Sequence, residues 1–155
     1  MAKRIESLSP SAALTASAAP LAPLALRIGL GTVFLAHAYA KAAIFTFPGT
    51  EAFFQAFGFP GWTVYPVFLA ELLGGIALLL GYRTRATALA LVVVMLGALK
   101  PHVANGWMFT APGGGWEYVA FIIVALVAQA LAGSGAYALD ARAPAPSGAA
   151  LPAEG

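Results

Sequence analysis

The chain has 155 residues, of which 61% are hydrophobic and only 9% charged, against about 25% charged in an ordinary soluble domain. So few charges cannot cover the surface of a soluble protein of this size, and the composition points to a one-domain integral membrane protein. A net charge of +2 with no basic run argues against nucleic acid as a partner, and the lack of cysteine excludes disulfide exchange, thiolate metal sites and nucleophilic thiols.

Residues 1–23 are rich in Ala, Ser and Pro, with Lys3 and Arg4 at the front. Glu6, Ser7 and Ser9 occupy the place where a signal peptide would have its apolar core, so the segment reads as a disordered cytoplasmic tail. The first predicted span covers 24–47 and is stopped by Pro48-Gly49; Arg27 marks its start, and His37 and Lys41 lie in its second half. Glu51 to Phe57 is short, aromatic and amphipathic, which suits an interfacial helix whose Phe53, Phe54 and Phe57 anchor it at the bilayer surface. The second span, 62–82, opens on Trp62 and Tyr65 and is almost wholly apolar apart from Glu71. A tight turn with Arg83 and Arg85 leads into the third span, 84–100, closed by Lys100-Pro101-His102. After a loop holding Asn105, Trp107 and the glycines 113–115, Trp116-Glu117-Tyr118 opens the fourth span, 116–135. Residues 136–155 form a second Ala/Pro-rich tail, also expected to be disordered and cytoplasmic.

The expected fold class is therefore all-α: a polytopic membrane protein with a four-transmembrane-helix, up-down-up-down bundle over 24–135 and a short interfacial helix between the first two spans. Four spans put both termini on one side, together with Lys3, Arg4, Arg27, Arg83, Arg85 and Arg142, and leave Lys41 and Lys100 on the other. The positive-inside rule makes the first side cytoplasmic, with Arg83 and Arg85 as topology determinants.

An ionisable residue inside a span is expensive and faces a protein interior or cavity with a partner, so Glu71 is the starting point for function. At the helical rise, Glu71 lies roughly 18 Å from the Arg83 end, while His37, Lys41 and Lys100 lie roughly 15, 21 and 22 Å from the same side. These groups converge in the outer half of the bundle. His37 and Lys41, four residues apart, share a helix face that Glu71 can approach. Gly29 and Gly31 on the first helix and Gly74 and Gly75 on the second permit a close crossing that would aim Glu71 at this face. His37, Lys41 and Glu71 are accordingly the candidate catalytic residues, Glu71 ionised against Lys41 or His37. Lys100, His102, Asn105, Trp107, Trp116 and Glu117 are the candidate ligand-binding rim, with Trp107 or Trp116 walling the pocket. The same Glu71 pair could instead be a structural lock for the bundle. A metal held by His37, His102 and Glu71 is conceivable by ligand type, but no spacing calls for one, and no metal is expected.

The chain also resembles the DoxX family of four-helix bacterial and archaeal membrane proteins over about Leu24 to Asp140. The resemblance rests on Arg27, His37-x-x-x-Lys41, Glu71-x-x-Gly74-Gly75 and Leu78-Leu79-Leu80-Gly81 followed by Thr84-Arg85. It continues through Asn105-Gly106 and Gly114-Gly115-Trp116-Glu117-Tyr118 to Gly133-x-Gly135-x-Tyr137-x-Leu139-Asp140. Ala38 stands where the family often has glycine after the histidine.

The resemblance implies a bacterial or archaeal cytoplasmic (inner) membrane protein. Relatives are linked with quinone-dependent sulfur oxidation, as small subunits of a thiosulfate:quinone oxidoreductase, and with assemblies serving oxidative or thiol stress or quinone and catechol resistance. Without cysteine this chain would not handle sulfur covalently itself. The function expected is thus a quinone-interacting subunit of a redox or stress-response system. His37 or Lys41 would donate to a quinone carbonyl, and Glu71 would relay protons. The expected partners are the lipid bilayer, a quinone or other small apolar ligand, and a redox subunit supplying electrons; a homo-oligomer is compatible with the bundle, and nucleic acid is not expected. The alternatives are a non-enzymatic scaffold or accessory subunit whose buried ion pair is structural, and a small-solute carrier, for which four spans without an inverted repeat are few.

Overall fold

The computed structural model describes residues 18–140, and among them every regular element is helical. Of the expected tails, 1–23 and 136–155, the parts at 1–17 and 141–155 lie outside the described residues. Helix α1, Leu21–Tyr39, continues through a wide π-turn, Ala40–Ile44. Helix α2 is Phe47–Ala56, α3 is Val64–Leu80 after a 3₁₀ turn at Gly61–Thr63, α4 is Thr84–Val103 and α5 is Glu117–Ala132. Three stretches, Leu21–Ile44, Gly61–Leu80 and Thr84–Val103, are long and apolar enough to cross a membrane. The fourth apolar helix, α5, has 16 residues, short of the full predicted span.

Helix α1 packs on α3, α4 on α5 and α3 on α4, and α1 touches α5 to close the bundle. The shared core holds Leu30, Phe34, Leu78, Leu91, Ile122 and Leu126, all nearly inaccessible. The α1–α3 crossing is made by glycine: a Cβ on Gly31 would lie 2.9 Å from the Gly75 carbonyl oxygen, and one on Gly75 would lie 3.0 Å from that of Gly31. Backbone lies against backbone there, as small residues allow. Gly74 packs on Leu91 of α4 instead, and Gly29 faces open space, so one of the two expected glycines on each helix makes the crossing.

Several boundaries differ from the sequence reading, each for a local reason. Thr46, at φ 62°, reverses the chain between α1 and α2, and Pro48-Gly49 lies inside the first turn of α2 rather than stopping α1. Proline is tolerated in a first turn because its missing N–H has no intrahelical partner there. The Thr46 hydroxyl accepts from Gly49 N–H at 3.4 Å as the cap of α2. Pro23 likewise falls within the first turn of α1, which begins three residues before the predicted span. Pro101 lies inside α4, which runs through Lys100-Pro101-His102 to Val103 instead of closing there.

The largest departure concerns the predicted tail 136–155, whose first five residues are docked, not disordered. Ala136 N–H donates to Pro20 O, and Leu139 and Asp140 N–H donate to Leu80 O and Gly81 O at 2.8, 3.1 and 3.0 Å. The Asp140 carboxylate accepts from the N–H groups of Arg83 and Thr84 at 2.7 and 2.9 Å, capping α4 from 56 residues away. Arg27 does not mark a helix start but is buried, 2% exposed, in the same end of the bundle. Its guanidinium donates to Leu78 O (3.1 Å), Leu79 O, Ser134 O (3.0 Å) and Ala136 O (2.8 Å). Two of these are carbonyls at the C-terminus of α3, where the helix runs out of later N–H groups and of the two only Leu78 O keeps one, from Gly81 at 3.1 Å. Arg85 does the same for α5, donating to Ala130 O and Leu131 O at 2.9 and 3.1 Å. Cations at helix C-termini also complement the helix dipole.

Candidate ligand cavity

The opposite end of the bundle is arranged differently. The π-turn that follows α1 closes with Phe45 N–H on Ala40 O at 2.8 Å, and Lys41 sits within it. Helical π-turns carry an extra residue per turn and are found often at functional sites. Glu71 lies on α3 one turn from Gly75, so the glycine crossing brings its carboxylate toward α1. Lys41 Nζ donates to both Glu71 oxygens at 2.8 Å, with the lysine side chain 14% and the glutamate side chain 6% exposed. The sequence placed Glu71 against Lys41 or His37, and the contact is with Lys41.

The pair opens onto a cavity of about 960 Å³ between α1, α2, α3, α4 and α5. Its walls are mostly apolar: Phe34 and Val33 from α1, Val67 from α3, Met95 from α4, and Val119 and Ile122 from α5. Phe53, Phe54 and Phe57, expected as surface anchors, line it together with Phe45 and Phe59. Their spacing within α2 put them on neighbouring helix faces, but only the reversal at Thr46 shows that α2 folds back over the bundle. Polar side chains are few: His37, Lys41, Thr50, Thr63, Glu71, His102 and Tyr118. A mostly apolar cavity with a few placed polar groups is the usual form of a small-molecule site.

Four of the nine sequence candidates meet here: His37, Lys41, Glu71 and His102. The other five lie outside the lining. Lys100 is exposed, with Nζ 4.7 Å from the Phe59 ring centroid. Asn105 donates to Pro101 O, Gly113 O and Gly114 O at 3.1, 3.1 and 2.9 Å, which shapes the loop between α4 and α5. Glu117 accepts from Phe109 N–H at 3.0 Å in the same loop. Trp107 and Trp116 pack edge to face at 4.4 Å; Trp107 and Glu117 border a separate groove on the outer face of α5. Neither tryptophan walls the cavity. Among the described residues, no group of three or more His, Asp or Glu side chains is gathered to hold a metal ion.

The DoxX family model matches residues 22–111, more than half of the chain. The chain is 32% identical over 127 residues to the "Inner membrane protein YqjF" of Escherichia coli strain K12, covering 76% of this chain and 88% of that one. It is 27% identical over 123 residues to the "Putative oxidoreductase CatD" of Bacillus subtilis strain 168, covering 76% and 83%. No solved structure matches the chain significantly. With helices built to cross a membrane and a family model matching most of the bundle, the chain is a membrane protein that belongs to the DoxX family.

Proposed function

We propose that the protein is a quinone-interacting subunit of a membrane redox or stress-response system, binding its ligand in the cavity beside Lys41 and Glu71. The observation that carries this reading is a buried ion pair bordering a large apolar cavity. An ion pair that served packing alone would be enclosed by side chains, as Arg27 is by carbonyls. The cavity's size suits a ring and the start of an apolar tail. The name of the B. subtilis relative supports an oxidoreductase setting.

A quinone would supply the redox chemistry when bound, exchanging electrons with a partner subunit. The chain's own residues bind and handle protons. The aromatic side chains of α2 and the segment after it exclude water from one wall. Lys41 and Glu71 provide a cation and a carboxylate within one hydrogen bond of each other, between which a proton can pass.

In the membrane, the proposal includes α5 as a fourth span. At 1.5 Å per residue its 16 residues reach about 24 Å, with Trp116 at its entry. Both termini then face the cytoplasm of a bacterial or archaeal inner membrane, with Arg27, Arg83 and Arg85 on that side and the cavity in the outer half. A cysteine replacing Gly113 should react with an impermeant thiol reagent from outside in intact cells. Labelling only after permeabilisation would overturn the orientation.

The function itself is tested by extracting protein purified in native lipid and measuring quinone per chain by mass spectrometry. Wild type should carry quinone well above the level in the surrounding lipid, and filling the cavity with Met95→Trp should remove it. Equal amounts in both would count against the proposal.

A further inference from the structure

The hydrogen bonds around the cavity specify the ligand further, on the reading that the cavity is the ligand site. His37 and His102 both place Nδ1 on a backbone carbonyl, that of Val33 at 2.8 Å and that of Gly114 at 2.9 Å. A carbonyl oxygen only accepts, so Nδ1 carries the hydrogen in each ring. A neutral imidazole has one N–H, and its other nitrogen, Nε2, is then a lone-pair acceptor. The two threonines follow the same rule. Thr50 Oγ1 donates to Thr46 O at 2.9 Å and Thr63 Oγ1 donates to Pro60 O at 2.6 Å, so each hydroxyl has only lone pairs left to offer. Glu71 is a carboxylate that accepts, and the Lys41 ammonium is directed at its two oxygens. Of the seven polar side chains that line the cavity, four have their hydrogen committed to the backbone. Tyr118 can donate or accept, and Lys41 can extend one remaining N–H.

A quinone brings two carbonyl oxygens, both acceptors, and would find hydrogens to accept only at Lys41 and Tyr118, among groups that otherwise accept. Its two-electron, two-proton reduced form brings two hydroxyls, each of which donates one hydrogen bond and can accept another. We infer that the cavity selects the reduced ligand: a dihydroxyarene (quinol) whose hydroxyls donate to Nε2 of His37 and of His102. His37 would then act opposite to the carbonyl donor expected from sequence. An acceptor wall also suits the removal of the hydroxyl protons. Pairing a lone pair with a lone pair leaves both desolvated and unmatched, which separates the two ligand forms by more than the worth of one bond.

The full-length protein in phosphatidylcholine nanodiscs, kept anaerobic at pH 8, should be titrated calorimetrically with trimethylhydroquinone and with trimethylbenzoquinone, subtracting empty nanodiscs. The hydroquinone should bind at least tenfold more tightly. His37→Phe and His102→Phe should each weaken it by about tenfold while the benzoquinone binds at least as tightly as to wild type, because a mismatched lone pair has been removed; that retained binding also reports that the variants are folded. Equal or tighter binding of the benzoquinone by wild type would overturn the preference while leaving the cavity as a quinone site. Binding of neither compound would overturn both readings. The wild-type ratio decides the matter even where a variant does not fold.

Discussion

The two ends of the bundle use charge in opposite ways. At the Gly81 end, Arg27, Arg85 and Asp140 each meet the backbone: two guanidiniums on six carbonyls, one carboxylate on two N–H groups. These charges satisfy helix termini and hold the segment after α5 against the rest. At the other end, Lys41 and Glu71 satisfy each other and border the cavity, and two histidines line it with a nitrogen each to spare. In a low-dielectric setting an unmatched polar group is costly. At the Gly81 end every one of these charges meets the backbone, although Thr84 Oγ1 and Gln129 Oε1 are buried there without a partner among the described residues; what marks the other end as a site is that its uncommitted polar atoms border a cavity.

The contrast is sharpest if Arg27 is removed. Arg27→Met would leave Leu79 O of α3 and the carbonyls of Ser134 and Ala136 without this donor, and Leu78 O with the Gly81 N–H alone. We expect a loss of about 3–5 kcal/mol, seen as a fall of roughly 10 °C or more in the apparent Tm in detergent. Any protein that still folds should bind ligand with unchanged affinity. An unchanged Tm would break the claim that this end is structural.

Next in size is the glycine crossing. Gly75→Leu places a side chain where Gly31 O and Leu35 now lie about 3 Å from a Cβ. Overpacking of this kind costs about 1–3 kcal/mol, and because it pushes Glu71 away from Lys41 it should weaken ligand binding as well. Loss of stability with full binding would show that the pair does not depend on the crossing.

The ion pair itself separates site from scaffold. Removing one partner, as in Glu71→Gln, leaves an ammonium unpaired and should destabilise the protein. Replacing both, as in Lys41→Met with Glu71→Leu, should recover most of that stability, because apolar pairs commonly replace buried ion pairs at little cost. The proposed function predicts that the double variant is stable and has lost ligand binding. A stable double variant with full binding would favour the scaffold reading.

What the sequence made legible follows the same division. Glu71, Lys41 and His37 stand out because charged residues in apolar runs have few explanations, and helical rise alone put them at one depth. The helix order and the short helix after α1 were likewise legible. Arg27 was misread, since a cation near a helix start looks like a boundary marker until the segment 133–140 is seen folded back onto it. That segment is short, small-residue and polar, which in composition matches a loose tail; its order comes from partners in α1, α3 and α4 that no local pattern reveals. The cavity wall was missed for a similar reason. Phe53, Phe54 and Phe57 carry an amphipathic signal that fits a bilayer surface as well as a cavity, and Thr46 at φ 62° decides between them. The tryptophans drew attention by size, yet they pack on each other.

The smallest expected effect is at Asp140. Burial pushes its carboxyl up, but the N–H groups of Thr84 and Arg83, with the Arg27 guanidinium nearby, outweigh this and hold it below the usual carboxylate range. A carboxylate lowered on folding adds stability above its unfolded value of about 4, and that stability is lost as pH falls through the lower folded value. Asp140→Asn should therefore cost about 1 kcal/mol, as for other helix caps, at neutral pH. The difference from wild type should vanish toward pH 3. A difference independent of pH would mean that the cap acts without its charge.

The central claim, that the cavity end of the bundle is the ligand site, is tested most directly by where a ligand attaches. A photoreactive azidoquinone should be irradiated with the protein in nanodiscs and the adducts mapped by peptide mass spectrometry. The account predicts adducts on the cavity wall, at Phe53 or Phe54 of α2, at Phe57 just after it and at Met95 of α4, which excess unlabelled hydroquinone suppresses. Adducts confined to the outer face of α5, at Phe121 or Val124, or labelling of the cavity that no competitor reduces, would contradict it.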